Sequence, residues 1–113
     1  MDQEGHSLDP RLQLILAELR RDLSSLYGQR LQRLVLYGSQ ARGDAVEGSD
    51  IDVMVVLTGD VDACAEVERT SEAVAGLSLK HAVVIACTFV SAIEFLHARR
   101  PLLLNVRREG VVI

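Results

Sequence analysis

Leu34-Val35-Leu36-Tyr37-Gly38-Ser39-Gln40-Ala41-Arg42-Gly43, followed after a short loop by Ser49-Asp50-Ile51-Asp52-Val53-Met54-Val55-Val56-Leu57, is the stretch that decides the fold. The apolar run before Gly38 reads as a strand, Gly38-Ser39 as a phosphate-sized turn, and residues from about 50 to 57 as a second strand. Residues i and i+2 of a strand project to the same face, so Asp50 and Asp52 are expected side by side while Ile51 turns inward. Two hard oxygen donors facing a Gly-Ser turn suit a magnesium-bound nucleoside triphosphate. Each half of the pattern alone is commonplace: a Gly-Ser after a strand is often a plain turn, and Asp-x-Asp arises by chance at exposed strand starts. Their order, with a strand on both sides, is the informative part.

Together these residues resemble the signature of the DNA polymerase β-type nucleotidyltransferase superfamily, and within it the small prokaryotic minimal nucleotidyltransferases. The resemblance implies an α/β (α+β) fold in which a small mixed β-sheet is flanked by helices. It implies nucleotidyl transfer with Asp50 and Asp52 as catalytic residues that hold Mg²⁺ on the triphosphate. Gly38, Ser39, Arg42 and Ser49 become the candidate nucleotide-binding residues. Gly38 lets a phosphate approach without a Cβ in the way. The Ser39 hydroxyl and the first free N–H groups after it either bind phosphate oxygens or serve as an ordinary helix cap. Arg42 either reaches a phosphate or pairs with Asp44 or Glu47. Ser49 shapes the turn before Asp50.

The pattern also departs from the superfamily. Active members typically carry a third acidic residue on the next core strand, where it binds a second metal and serves as base. Here the corresponding stretch is read as Lys80-His81-Ala82-Val83-Val84-Ile85-Ala86-Cys87-Thr88, which contains no Asp or Glu. Ala82 or Val84 is expected where the carboxylate would stand. His81 is the nearby imidazole, read either as a base or as an ordinary strand-edge residue. Magnesium prefers oxygen, so it is a poor substitute ligand.

The bulk properties fit this reading. A chain of 113 residues, 49% hydrophobic and 25% charged, is the size of one domain, and residues 1–113 are read as such with 1–8 loose. A net charge of -4, 4% aromatics and no Trp argue against a dedicated nucleic-acid binder. Cys64 and Cys87 lack the paired spacing of a zinc site and read as reduced, partly buried thiols. No membrane span or signal peptide is recognised, so the cytoplasm is the expected compartment.

Around the central stretch, Asp9-Pro10 marks a helix start, Leu12, Ile15, Leu16, Leu19, Leu23 and Leu26 form its apolar stripe, and Gly28 stops it. A helix is expected over about 61–77 with Cys64 and Val67 in its stripe and Glu66, Glu68 and Glu72 facing water. Leu79–Val90 reads as a third strand buried on both faces in its centre. Ser91 and Glu94 form a capping box for a helix carrying Ile93, Phe95 and Leu96. Pro101 breaks or restarts that helix, and residues 110–113 form an extended tail.

Two functions follow from different classes. The first is transfer of a nucleoside monophosphate, AMP from ATP, to an acceptor hydroxyl. The resemblance implies a separate HEPN-domain protein as partner, which the chain would modify as the antitoxin of a toxin–antitoxin pair. The second is a nucleotide-binding or protein-binding subunit without transfer activity, which the missing third carboxylate favours.

Overall fold

The computed structural model describes residues 8–113; the loose segment expected at the N-terminus falls, apart from Leu8, outside the described residues. Helix α1 spans Pro10–Tyr27. It begins where Asp9 accepts a hydrogen bond from the Arg11 N–H and Pro10, having no N–H, needs no acceptor, and it ends at Gly28, whose φ is 55°. Its buried positions, Leu12, Ile15, Leu16, Leu19, Leu23 and Tyr27, follow the helical repeat, whereas Leu26 is exposed. A single 3-10 turn, Gly28–Arg30, leads into β1, Leu31–Tyr37. The one-turn helix α2, Ser39–Arg42, is followed by a loop to β2, Ile51–Leu57. Then come α3, Ala63–His81, and β3, Ile85–Ser91. Helices α4, Ala92–His97, and α5, Pro101–Glu109, precede the short strand β4, Val111–Val112.

The four strands form one mixed sheet in the order β3-β2-β1-β4. β1 runs antiparallel to both β2 and β4, while β2 and β3 are parallel. A parallel pair requires a crossover, and α3 provides it. Alternation along the strands divides the core in two. Leu34, Leu36, Ile51, Val53, Val55, Leu57, Ile85 and Phe89 pack against α1 and α3. Val35, Met54, Val56 and Val90 pack against Phe95 of α4 and Leu103 and Val106 of α5. The sheet thus lies between two helical layers, and the expected mixed sheet flanked by helices is what forms.

Several local expectations are corrected. The third strand does not begin at Leu79. Helix α3 continues to His81 because its last turn is tied to α1: Lys80 Nζ lies 3.1 Å and His81 Nε2 2.9 Å from the Glu18 carboxylate. Leu79, the expected start of the third strand, is exposed. Ala82 then ends the helix in the left-handed region, with φ 54°. β3 is an edge strand, so its centre is not buried on both faces: Phe89 and Val90 are buried, Ala86, Cys87 and Thr88 half-buried, and Val84 exposed.

On α3, Cys64 and Val67 are exposed, and Glu66 is buried instead of solvated. The reason is a pair of donors: Tyr27 Oη donates to Glu66 Oε1 at 2.7 Å, and Arg69 Nε donates at 2.9 Å. Tyr27 and Arg69 hold the Glu66 carboxyl below its usual range. On α4 only Phe95 is buried; Ile93 and Leu96 are exposed. Half of the expected capping box forms: Ser91 Oγ accepts from the Glu94 N–H at 3.0 Å, while the Glu94 carboxylate pairs with Arg100 instead of reaching back to Ser91.

Candidate functional site

At one end of the sheet, on the face covered elsewhere by α4 and α5, the helices give way to the Gly38 turn and the start of β2. Asp52 is in register with Tyr37 on β1 and with Ala86 on β3. Asp50 is exposed and sits one residue ahead of β2, and Ile51 between them is buried with the α1/α3 core. The alternation expected for this stretch is therefore present.

Gly38 has φ 78° and ψ −156°, a conformation that L side chains avoid. A Cβ at Gly38 would lie 2.6 Å from Asp52 Oδ2. The glycine thus lets the turn close directly onto the carboxylate. Burial, and next the charge of Asp50, push the Asp52 carboxyl above the usual range. The ionised form is consequently short of positive charge, which an added cation would supply.

Gly38 is itself the cap residue of α2, and Ser39 occupies the first helical position without a capping hydrogen bond. The alternative of Ser39 as the N-cap is thereby removed. The Gly38 carbonyl accepts from the N–H groups of Ala41 and Arg42, and the Ser39 carbonyl from those of Gly43 and Asp44, closing the turn on itself. Ser49 Oγ accepts from the Val46 N–H at 3.0 Å, so this side chain braces the loop that delivers Asp50. Arg42 is paired with Asp44, Nε to Oδ2 3.2 Å, and with Glu109, Nη1 to Oε1 3.6 Å, not with Glu47. Asp44 chiefly, and Glu109 secondarily, strengthen its hold on its proton.

The structure therefore brings Gly38 against Asp52, with Ser39, Arg42, Ser49 and Asp50 on the segments that join them. It sets His81 apart: its ring is taken up by Glu18 of α1, in the other helical layer. Ala82 is likewise off the sheet, as the cap of α3. The residues of β3 that share the Asp52 face are Ala86, in register with it, and then Thr88, whose Oγ1 is 3.1 Å from Tyr37 Oη. Among the described residues no group of three or more His, Cys, Asp or Glu side chains is arranged to hold a metal. Asp50 and Asp52 offer carboxylate oxygens, the donor type magnesium takes, and a bound triphosphate completes such a set with its own oxygens and water. Glu109, which follows Arg107-Arg108 and precedes Gly110, is not among the site residues expected from sequence.

Comparison with known proteins bears on the family and the fold. A family model described as "Nucleotidyltransferase domain" matches residues 16–105. A protein of Methanocaldococcus jannaschii, provisionally assigned as a protein adenylyltransferase, is 33% identical over 72 residues, 64% of this chain and 72% of that protein. The crystal structure of a provisionally assigned nucleotidyltransferase from Sulfolobus solfataricus superposes with a TM-score of 0.61 at 19% identity, covering 90% of this chain and 80% of that one. A toxin–antitoxin structure with AMP-PNP superposes with a TM-score of 0.60 at 22% identity, covering 88% and 69% of the two chains. These two likenesses are of fold. With the family match running from α1 into α5 across the whole Gly38–Asp52 region, the chain belongs to the nucleotidyltransferase domain family.

Proposed function

We propose that this chain binds a nucleoside triphosphate with magnesium and transfers its nucleoside monophosphate, AMP from ATP, to an acceptor hydroxyl on a partner protein. The observation that carries the reading is the closure of the Gly38 turn onto Asp52, with Asp50 alongside. In this reading the Gly38–Ser39 backbone and the Ser39 hydroxyl receive phosphate oxygens, and Arg42 offers N–H donors to the polyphosphate. Asp50 and Asp52 would hold the magnesium, whose charge offsets that of the triphosphate and of the leaving pyrophosphate. The acceptor oxygen forms a bond to the α-phosphorus as the bond to the bridging oxygen of pyrophosphate breaks. Ala86 and Thr88 offer no carboxylate to take the acceptor's proton, so that proton passes to solvent or to a group of the partner.

The acceptor is placed on a HEPN-family helical protein, with this chain as the antitoxin of the pair. Transfer to a protein is supported by the adenylyltransferase assignment of the M. jannaschii relative, and a toxin–antitoxin pairing by the assembly of a structural neighbour; the HEPN identity follows from the family resemblance alone. Titration with ATP, with and without magnesium, tests the binding step. Wild type is expected to bind only with the metal, and Asp52→Asn to lose that dependence. Absence of magnesium-dependent binding by wild type overturns the proposal. Incubation with labelled ATP and the protein encoded by the adjacent reading frame tests transfer. A second reading, binding without transfer, is favoured by Ala86 standing beside Asp52. A tight complex that never becomes labelled would select it.

A further inference from the structure

The C-terminal end of α5 is fastened to the rim of the Gly38 turn. β4 pairs with β1 so that Leu36 faces Val111 and Val35 faces Val112. Continuing that register sets Glu109 beside Gly38, on the flank opposite Asp52. Gly110 makes the approach possible, because a Cβ there would overlap Val35 Cγ1 and the Val106 carbonyl oxygen. Its N–H donates to that same carbonyl at 2.8 Å, which closes α5 immediately before the strand.

Glu109 is left with 34% of its side chain exposed, and its Oε1 lies 3.6 Å from Arg42 Nη1. Its Oε2 is 3.5 Å from Arg108 Nη2, which also donates to Asn105 Oδ1 at 2.9 Å. Asp44 takes the Nε edge of Arg42. Among the described residues no hydrogen bond uses Arg42 Nη2. The two guanidinium groups, Arg42 and Arg108, balance the two carboxylates, Asp44 and Glu109, so the cluster orients Arg42 without adding net negative charge at the turn.

We propose that Glu109 is the positioning residue of Arg42, holding its guanidinium over the Gly38–Gly43 turn so that its unused N–H donors meet the polyphosphate of a nucleoside triphosphate. The inference rests on the triphosphate reading of the site. An unrestrained arginine loses rotamer freedom when it closes on a phosphate, and a carboxylate that holds it beforehand reduces that cost. The group so held is distinct from the metal-binding pair, and it recognises the polyphosphate and not the nucleoside.

The test compares ATP and AMP binding, in magnesium, for wild type, Glu109→Ala, Glu109→Gln, Arg42→Ala and the Arg42→Ala/Glu109→Ala double variant. Because the pair is solvent-exposed, Glu109→Ala is expected to weaken ATP binding by about fivefold and to leave AMP binding unchanged. Glu109→Gln keeps an acceptor oxygen and is expected to retain most of the affinity. In the Arg42→Ala background, loss of Glu109 is expected to change nothing further. Nitrogen-15 NMR of the nucleotide-free protein provides an independent readout: the Arg42 Nε–H signal is expected to be sharp in wild type and broadened by Glu109→Ala. Unchanged or tighter ATP binding by Glu109→Ala, or the same loss without Arg42, overturns the inference while leaving the functional proposal standing. Failure of wild type to bind ATP at all overturns both.

Discussion

Replacing Gly38 by alanine separates two roles of one residue. At φ 78° and ψ −156° a non-glycine residue is strained by ~1–3 kcal/mol. The new methyl would also sit 2.6 Å from Asp52 Oδ2, so the carboxylate must rotate away. Gly43 supplies the control. It has φ 84° and ψ 11°, the ordinary left-handed region, and a Cβ there meets nothing within 4 Å. Gly43→Ala should therefore cost only about 1 kcal/mol, and Gly38→Ala should exceed it by about 1–2 kcal/mol in urea or guanidinium unfolding. Both variants should remain folded, since single domains are stable by ~5–15 kcal/mol. Removing the Asp52 side chain should relieve the contact but not the backbone strain. The Gly38→Ala penalty should then shrink by about 1 kcal/mol in the Asp52→Ala background. Displacement of the carboxylate should also weaken magnesium-dependent ATP binding, read by titration beside Gly43→Ala. A Gly38→Ala penalty no larger than that of Gly43→Ala, or one indifferent to Asp52, refutes the claim that the turn is closed onto the carboxylate.

Four other outcomes follow from the same structure. Asp52 has a folded-state pKa above its unfolded one, so its ionisation opposes folding as pH rises through the folded value, and the penalty vanishes below the ordinary value of ~3.9. Asp52→Asn should therefore raise the melting temperature near neutral pH, with a gain that disappears on acidification; a pH-independent gain would count against the assignment. Tyr27→Phe should cost about 1–3 kcal/mol, because the Tyr27 hydroxyl donates to the ionised Glu66. Glu66 is shifted the other way, so its contribution is present above its unfolded pKa and lost as pH falls through the folded one, and Tyr27→Phe should reduce that acid sensitivity in pH-dependent melts. Burial raises the Cys87 thiol to about 11, whereas Cys64 is exposed; a thiol reagent should label Cys64 promptly and the half-buried Cys87 much more slowly, with the difference lost on unfolding.

The fold was legible where one local rule had no competitor. Asp9-Pro10 could only start a helix, the alternation through Ile51, Val53 and Val55 marked one face of a strand, and Gly38 between two apolar runs marked the turn. What escaped was set by partners distant in sequence. Glu66 resembles any solvent-facing helical glutamate until Tyr27, which lies 39 residues earlier, donates to it. The end of α3 depends on Glu18 binding Lys80 and His81 across 62 and 63 residues, and without that tie the stretch from Leu79 has as good a claim to be a strand. The same error moved the candidate for the missing carboxylate. Starting β3 at Leu79 pointed to Ala82 or Val84, and the parallel pairing with β2 instead sets Ala86 beside Asp52. Parallel register is fixed by the crossover helix and not by a tight turn, so no short sequence motif reports it. Glu109 was hidden for a related reason: its position depends on β4 pairing with β1, and two strand residues after a helix carry almost no signal of their own. Of the candidate residues, those on the Gly38–Asp52 stretch could be read in advance because turn and strand geometry place them locally. Whatever completes the site from β3 or α5 is placed by tertiary pairing, and there the sequence is silent until the sheet is assembled.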